Sequence, residues 1–348
     1  MPEPGSTIAE RDDGAASAAE QRPAERPPAW PHRHLLDTDV LTWPQIELVL
    51  DTADVMGEIV ARRRPRSEVL RGIGVTNLFY EASTRTRVSF EVAAKHLSAD
   101  VVNVSVSGSS VEKGESLLDT MRTLESLGTR VLVIRHATSG APYLVARESR
   151  GSVINAGDGR HAHPTQALLD LYTLRLHVPG GSLRGRKVVV LGDVLHSRVA
   201  RSNLWTLTAA GADVWLCGPV TLLRGFEAWA ATGVGGERRF TVTSDIAAAL
   251  RDADAVMALR LQQERMAAGL LPSLHEYIAR FGLTAERLRL AREGCLVLHP
   301  GPMNEGVEIA PEVAAGPRSL VTEQVANGVA IRMAVLSLVT SVSMRGEA

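Results

Sequence analysis

The sequence has few cysteines, almost no net charge and no apolar segment near its start. Its two cysteines, Cys217 and Cys295, are too few for a disulfide framework, and there is no CxxC pair or Cys/His cluster with zinc spacing. Both lie in apolar runs, which predicts buried strand cysteines. A net charge of −1 over 348 residues provides no general field for nucleic acid or anionic lipid. We therefore expect no nucleic-acid partner and no membrane partner.

Targeting and cofactor signals are also missing. No charged start followed by an apolar core is present, so we expect no secretory signal and a reducing, cytoplasmic location. The apolar segment 329–344 is interrupted by Arg332 and is predicted to be too short to span a bilayer. The turn at 192–203 lacks the glycines of a dinucleotide-binding GxGxxG motif. Since no catalytic triad is found either, we expect no cofactor and no metal.

The composition that remains is that of a globular protein with a substantial interior. Hydrophobic residues make up 45% of the chain and charged residues 22%. A length of 348 residues exceeds one ordinary hydrophobic core, which favours two domains. Residues 1–34 hold 6 of the 17 prolines with many Ala, Glu and Arg. We predict a flexible extension there and the start of the fold near Leu35.

From residue 35 onward, short β-branched runs alternate with helical stretches. The predicted strands are 74–80, 100–105, 130–134, 187–191, 213–217, 255–259 and 295–298. The predicted helices are 84–97, 116–127, 167–175, 198–210, 246–250 and 323–342, with a first helix indicated by Ile46, Val49, Leu50, Ala53 and Met56 at helical spacing. This alternation predicts an α/β fold of two domains, each a parallel β-sheet flanked by helices.

We place the domain boundaries at a turn-rich break and at the last helix. The first domain is predicted at 35–178 and the second at 179–322, because Pro and Gly cluster near 178–185. Residues 323–348 are predicted to form a C-terminal helix that returns to the first domain. Its apolar stripe is Val325, Val329, Met333, Leu336 and Val339.

A run of hydroxyl and guanidinium groups stands where a predicted strand ends and a helix begins. Ser83 suits an N-cap, and the free backbone N–H groups of the first turn face outward with the positive end of the helix dipole behind them. With Thr84, Arg85, Thr86 and Arg87, this point suits an anion, phosphate above all. An ordinary capped helix with solvent-facing arginines is the alternative.

Six other polar segments, some of them beside predicted strands or helices, are candidates for a site. They are 107–120, 135–136, 155–166, 192–203, 258–265 and 299–309. Taken alone, 107–120 is a surface loop and 258–265 a charged loop. Arg135 and His136 follow a predicted strand, at the end where α/β sheets bind ligands. Residues 155–166 are predicted to form a turn that leads into a helix.

Together these segments resemble one family. STRTR followed by SFE, at 83–91, resembles the carbamoyl phosphate signature shared by aspartate and ornithine carbamoyltransferases. SSxxKGESxxDT, HPTQ, GDxxxSRVxxSN, LRxQxER and HPGPMNEG resemble further family motifs, in the same order. The resemblance runs from about Leu35 to Val342. Proline follows His299, where ornithine enzymes are expected to have cysteine, so the resemblance implies transfer of a carbamoyl group from carbamoyl phosphate to L-aspartate, in pyrimidine biosynthesis.

The resemblance implies roles for individual residues, carried over position by position. The implied substrate-binding residues are Ser83, Thr84, Arg85, Thr86, Ser109, Lys113, Arg135, His163, Gln166, Arg198, Arg260, Gln262, Pro300 and Gly301. The implied catalytic residues are Arg85, Thr86, Lys113, Arg135 and His163.

Within this set, the residues implied to bind carbamoyl phosphate lie in the first half of the chain, and those implied to bind aspartate lie in the second half. Thr86, Arg135 and His163 would contact the carbonyl oxygen of carbamoyl phosphate, and Gln166 its amide. Thr84, Arg85 and Lys113 would stabilise the departing phosphate, and one of its oxygens is a plausible proton acceptor. Arg198, Arg260 and Gln262 would hold the two aspartate carboxylates, because the arginine fork suits bidentate pairing. His161 has no counterpart in the motif and is treated as peripheral.

Ser109 and Lys113 would reach the phosphate site of a neighbouring chain. The resemblance therefore implies a homotrimer with shared active sites, and it leaves open a larger assembly with a regulatory chain or another pyrimidine enzyme. Two departures stand out: Glu112 where some relatives have lysine, and Glu305 where close relatives usually have arginine. A catalytically silent scaffold, a carbamoyl phosphate-binding subunit and a carbamoyltransferase for another amino acid are the alternatives.

Overall fold

The structure, a computed structural model, describes residues 29–61, 67–105, 114–235, 239–262, 266, 269–271 and 273–345. Residues 1–28, Ser109, Glu112, Lys113 and the predicted positions 263–265 lie outside the described residues. The predicted start of the fold at Leu35 is several residues too late. Trp30 is only 5% exposed and belongs to the hydrophobic core.

The first domain is built on a four-stranded parallel sheet. Its elements are α1 (Trp43–Ala61), β1 (Gly74–Phe79), α2 (Thr84–His96), β2 (Asp100–Ser105), α3 (Leu117–Ser126), β3 (Thr129–His136), α4 (Ala141–Glu148), β4 (Ser152–Asp158) and α5 (Pro164–His177). The strand order is β2-β1-β3-β4. All seven residues of β4 are buried, as expected of a parallel strand covered on both faces. The apolar face predicted for α1 is confirmed, because all five of its residues are buried.

The second domain is built on a five-stranded parallel sheet. Its elements are β5 (Lys187–Leu191), α6 (Arg198–Ala209), β6 (Asp213–Cys217), α7 (Phe226–Thr232), β7 (Thr241–Thr243), α8 (Ile246–Leu250), β8 (Ala255–Ala258), α9 (Leu274–Phe281), α10 (Ala285–Leu288), β9 (Leu296–Leu298) and α11 (Pro311–Ala314). The strand order is β7-β6-β5-β8-β9. Both cysteines are buried, as predicted.

In each sheet, the chain adds strands first on one side of a central strand and later on its other side. β1 pairs with β2 and β3, and β5 pairs with β6 and β8. At such a point the loops leave the sheet on opposite sides and open a crevice at the carboxyl ends of the strands, where α/β proteins bind ligands. Three of the seven segments that the sequence singled out begin at the ends of β1, β5 and β8 or in the loops that follow them.

The C-terminal helix α12 (Val321–Arg345) packs on the first domain, as predicted, through α1, α2 and α5. The single apolar stripe is wrong in detail. Val325 is 48% exposed, whereas every residue from 330 to 336 is buried, because other helices surround the middle of α12. The apolar segment 329–344 was predicted to be too short for a bilayer, but the helix that contains it, over 321–344, is long and apolar enough by length and composition. Of its apolar window, 56% is buried inside the protein, as in a core helix.

The predicted fold class, two parallel α/β domains with a returning helix, is confirmed, and three local predictions need correction. Residues 155–158 end strand β4 and are not a turn, and α5 begins at Pro164 instead of at 167. Arg135 and His136 end β3 instead of following it. Helices α4, α7, α9, α10 and α11 and strand β7 were not predicted. The domain boundaries at 178 and 322 stay predictions.

Candidate active site

One cavity of about 510 Å³ lies between the two domains, at the carboxyl ends of the central strands. Twelve of the fourteen predicted substrate-binding residues line it: Ser83, Thr84, Arg85, Thr86, Arg135, His163, Gln166, Arg198, Arg260, Gln262, Pro300 and Gly301. Ser109 and Lys113 lie outside the described residues. The cavity is also lined by residues for which no role was predicted, among them Glu81, Gln324 and Arg332.

The loop after β1 brings the start of α2 to the cavity. Ser83 is the N-cap residue, as predicted, but its hydroxyl group makes no capping hydrogen bond. The first-turn N–H groups are therefore not capped by this hydroxyl, and both stand at a helix start, where an anion is favoured. Arg85 lines the cavity and Arg87 does not, so the predicted pair of guanidinium groups is reduced to one. Burial, then the nearby Arg260, lowers the pKa of Arg85.

Glu81 joins arginines from the two domains. Its Oε2 atom lies 3.2 Å from Nε of Arg135 and 2.7 Å from Nη2 of Arg198. The guanidinium group of Arg135 also donates to a carbonyl oxygen within β4, and that of Arg198 to a carbonyl oxygen just after β4. Gly157 has φ +116°, and a Cβ atom there would lie 3.0 Å from both groups. Glycine at this position leaves the room in which the two arginines lie side by side.

His163 stands at the junction of the domains, as the N-cap residue of α5. It is only 4% exposed, and its backbone N–H donates to Oγ of Ser202 on α6 at 2.9 Å. Its Nδ1 has no hydrogen-bond partner among the described residues. Burial, then Arg135, holds the pKa of His163 well below its usual range. The imidazole is therefore neutral near pH 7 and can donate a hydrogen bond to a polarised carbonyl group.

His161, two residues earlier, is placed differently. It does not line the cavity, and its Nδ1 lies 3.1 Å from Oδ2 of Asp158. That hydrogen bond raises the pKa of His161. This geometry agrees with the peripheral role predicted for His161.

A fully buried carboxylate lies directly behind the cavity. Asp170 accepts hydrogen bonds from the side-chain amides of Gln166 (2.8 Å), Gln324 (2.7 Å) and Asn203 (2.8 Å). Gln324 in turn accepts from the backbone N–H of His299 at 3.0 Å. Burial raises the pKa of Asp170 to about 6, although the three amides oppose that shift. This cluster joins α5, α6, α12 and the loop after β9.

Arg332 reaches the cavity from α12. It is 4% exposed, its guanidinium group lies 5.1 Å from the ring centre of Phe90, and it donates to Oγ of Ser89 at 2.9 Å. Burial lowers its pKa to about 10, with Asp170 opposing the shift, so it stays charged near neutrality. An arginine inside an otherwise apolar helix was the sequence signal that could have assigned it to the site.

In the second domain, a buried carboxylate orients the loop after β8. Asp193 is fully buried and accepts from the backbone N–H of Gln262 at 3.1 Å. Its other oxygen lies 2.9 Å from Nδ1 of His196. Arg260 and Gln262 are thereby held at the cavity wall on the side of the second domain.

The loop after β9 closes the cavity against the start of α2. His299 is buried, accepts from the N–H of Gly301 at 2.8 Å and lies 3.1 Å from Glu308. Gly301 has φ +61°, and a Cβ atom there would overlap the guanidinium group of Arg85. Glu305 is exposed and does not line the cavity. Its negative charge therefore lies outside the cavity itself.

The charges of the described lining residues are strongly unbalanced. Five arginines face one carboxylate: Arg85, Arg135, Arg198, Arg260 and Arg332 against Glu81. Such a cavity favours ligands with several negative charges. Within the described ranges, no group of three or more His, Cys, Asp or Glu side chains could hold a metal ion.

Comparisons with known proteins match this architecture. Residues 33–176 match the model of the aspartate/ornithine carbamoyltransferase carbamoyl-P binding domain, and residues 184–339 match that of the Asp/Orn binding domain. The aspartate carbamoyltransferase catalytic subunit of Roseiflexus sp. (strain RS-1) is 58% identical over 304 residues, 87% of this chain and 94% of the relative. That of Acidothermus cellulolyticus is 55% identical over 307 residues, 88% and 92% of the two chains.

Solved structures of carbamoyltransferases have a backbone similar to that of this chain. Aspartate transcarbamoylase from Trypanosoma cruzi in complex with carbamoyl aspartate and phosphate has a TM-score of 0.77 at 30% identity, covering 90% of this chain and 98% of the other. Ornithine carbamoyltransferase from Pyrococcus furiosus has a TM-score of 0.76 at 28% identity, covering 90% and 98%. Backbone shape alone thus does not separate the two substrate classes.

Proposed function

Because the chain belongs to the aspartate/ornithine carbamoyltransferase family, we propose that it converts carbamoyl phosphate and L-aspartate to N-carbamoyl-L-aspartate and phosphate. The observation that supports this most directly is the cavity between the domains, with five arginines and one carboxylate for two multiply charged anions. Relatives named aspartate carbamoyltransferase catalytic subunit are 50–58% identical to this chain.

Carbamoyl phosphate would bind in the first domain. Its phosphate group would lie at the start of α2, beside Ser83, Thr84, Arg85 and the N–H groups of the first turn, which line the cavity. Lys113 of a neighbouring chain would add a further charge. These groups stabilise the negative charge that accumulates on the phosphate as it departs.

The carbonyl group of the same substrate would face Thr86, Arg135 and His163. When the amine attacks, the carbonyl oxygen becomes an oxyanion, and each well-placed donor stabilises it by roughly 3–4 kcal/mol. The neutral imidazole of His163 suits this role, because its N–H can donate a hydrogen bond to the oxyanion without the ring carrying a charge that burial disfavours.

L-Aspartate would bind from the second domain, with its carboxylates on Arg198, Arg260 and Gln262. Its neutral amine then attacks the carbonyl carbon: a C–N bond forms, the C–O bond to phosphate breaks, and the amine proton passes to a phosphate oxygen. No protein nucleophile takes part. Holding the two substrates in attack geometry supplies up to ~7–11 kcal/mol.

We also propose a homotrimer with shared sites, in the cytoplasm and in pyrimidine biosynthesis. Two structural facts support the shared site. β2 is the edge strand of the first sheet, and segment 106–113 follows it directly. A segment that follows an edge strand can reach a neighbouring chain without crossing the rest of the sheet.

A direct assay tests the proposed activity. The purified chain should form N-carbamoyl-L-aspartate from carbamoyl phosphate and L-aspartate, and L-ornithine should be carbamoylated far more slowly. Faster turnover of ornithine would overturn the substrate assignment, and no turnover of either would favour a silent scaffold or binding subunit. Glu305 was the reason to consider a silent member, but its side chain lies outside the cavity.

A further inference from the structure

Three buried side-chain amides turn their NH2 groups toward Asp170. It stands one turn after Gln166 on α5, is 0% exposed, and accepts from the NH2 groups of Gln166, Gln324 and Asn203. A carboxylate accepts hydrogen bonds and does not donate them, so each amide has to turn its NH2 group toward it. An amide turned the other way would set oxygen against oxygen in a buried place, which is strongly unfavourable.

For two of these amides a second bond gives the same orientation. Gln324 also accepts from the N–H of His299, and Asn203 also donates to the carbonyl oxygen of Val199. Among the described residues, the bond that orients the Gln166 amide is the one to Asp170. Gln166 lines the cavity, so the atom that it turns away from Asp170, its carbonyl oxygen, is the one available to a ligand.

We propose that Asp170 is a positioning residue that makes the site select a carbamoyl group over an acetyl group of the same size. It keeps the carbonyl oxygen of Gln166 directed to the cavity, where this oxygen accepts a hydrogen bond from the NH2 group of carbamoyl phosphate. Acetyl phosphate carries a methyl group in place of that NH2 and cannot donate. The proposal rests on the proposed function, because it assumes that carbamoyl phosphate binds beside Gln166.

The test compares the affinities of the two acyl phosphates in the absence of aspartate. Dissociation constants of carbamoyl phosphate and acetyl phosphate are measured by calorimetry for the unchanged protein and for Asp170→Ala and Asp170→Leu. One hydrogen bond gives the unchanged protein a preference of about tenfold for carbamoyl phosphate. In both variants the Gln166 amide is free to turn, and the preference falls to within about twofold of unity, while acetyl phosphate binds within about threefold of its original affinity.

Two further variants separate orientation from charge and from general damage. Asp170→Asn removes the negative charge but keeps one oxygen that can accept from Gln166, so about a third or more of the preference remains. Gln166→Ala removes the preference by itself, and Asp170→Ala adds no further loss of preference in that background. Alanine fits the space of aspartate but leaves three buried amides without this acceptor, so thermal unfolding of each variant is measured first. Asp170→Asn keeps the volume and one acceptor oxygen, so its retained preference tests the proposal even if alanine and leucine prevent folding.

Four results would overturn the role proposed for Asp170. If Asp170→Ala weakens both acyl phosphates equally, Asp170 has a structural role alone and the proposal fails. It also fails if the unchanged protein shows no preference, if the preference survives in Asp170→Ala, or if Asp170→Asn loses it as completely as alanine does. Failure of the proposed function is distinct: the unchanged protein would then bind neither compound and form no N-carbamoyl-L-aspartate.

Discussion

Gly301→Ala should abolish most of the activity while leaving the fold almost as stable as a matched control. Gly301 lies in the loop after β9 with φ +61°, and a Cβ atom there would overlap Nη1 and Cζ of Arg85 and lie 2.5 Å from Nη2. Gly306 lies five residues later with φ +82°, and a Cβ atom there would meet nothing within 4 Å. The two glycines therefore share the backbone strain but not the contact.

The magnitudes follow from this difference. A left-handed conformation costs a non-glycine residue about 1–2 kcal/mol, so both alanine variants should lose about that much stability. At Gly301 the overlapping atoms are the end of a long side chain, so Arg85 swings aside instead of the backbone. The start of α2 then lacks its guanidinium group. Removing one well-placed donor from a developing charge lowers kcat by roughly 10²–10³.

Steady-state kinetics and urea unfolding of the two variants provide the measurement. Gly306→Ala should keep kcat within about threefold of the original value, because it moves no donor. Combining Gly301→Ala with Arg85→Ala should be no worse than Arg85→Ala alone, since both changes remove the same group. Equal kcat values for Gly301→Ala and Gly306→Ala would refute the assigned role of Arg85. A fully additive double variant would show that Gly301 acts in another way.

Three further predictions address assembly, pH and the second domain. Chains with Lys113→Ala and chains with His163→Ala should each be nearly inactive, and mixed oligomers should regain part of the turnover; if mixing never restores it, the site is built within one chain. Burial and a neighbouring guanidinium group lower the pKa of His34 from 6.5 to about 4. The folded state therefore resists protonation of His34. The stability that the neutral His34 side chain contributes is full above pH 6.5 and is lost as pH falls toward about 4. Urea unfolding at pH 7 and pH 5 should show a smaller loss for His34→Gln than for the original chain, and equal losses would contradict this. In Gly157→Ala the new Cβ would lie 3.0 Å from Arg198 and from Arg135, so KM for aspartate should rise about tenfold or more and kcat should fall with it, and an unchanged KM would count against the aspartate assignment.

The parts of the site that local sequence could predict are those in which one strand-to-helix turn presents several polar groups. Ser83 to Thr86, Arg198 and Gln262 each lie in such a turn, and the predicted members of these segments line the cavity. Hydrophobic alternation likewise predicted the parallel sheets and the domains that hold these turns. Strand β4 was missed because Asn155, Gly157 and Asp158 are typical turn residues, although all three are buried in the sheet.

The parts that local sequence could not predict depend on contacts between distant segments. Glu81 is 117 positions from Arg198, and Gln324 is 154 positions from Asp170. A glutamate in a loop and a glutamine on a surface-like helical turn have no local feature that separates them from solvated residues. Their roles follow from the meeting of two domains and α12 at one cavity. Arg332 was predictable in part, because the sequence shows a charged residue in an apolar helix but does not show which cavity that residue faces.

The distribution of charge in the cavity gives a physical reason to favour aspartate over ornithine. Both amino acids bring an α-carboxylate, but aspartate ends in a second carboxylate and ornithine in an ammonium group. On the second-domain side, that end would face Arg198 and Arg260. The lining carboxylate among the described residues, Glu81, already lies against Arg135 and Arg198. An ammonium group placed there would be repelled by Arg260, whereas the charge of Arg198 is offset in part by Glu81. In a partly desolvated cleft, like charges at ~4 Å cost about 4 kcal/mol at an effective dielectric constant of 20. The same arginines stabilise a carboxylate, so the arrangement selects by repulsion as well as by attraction.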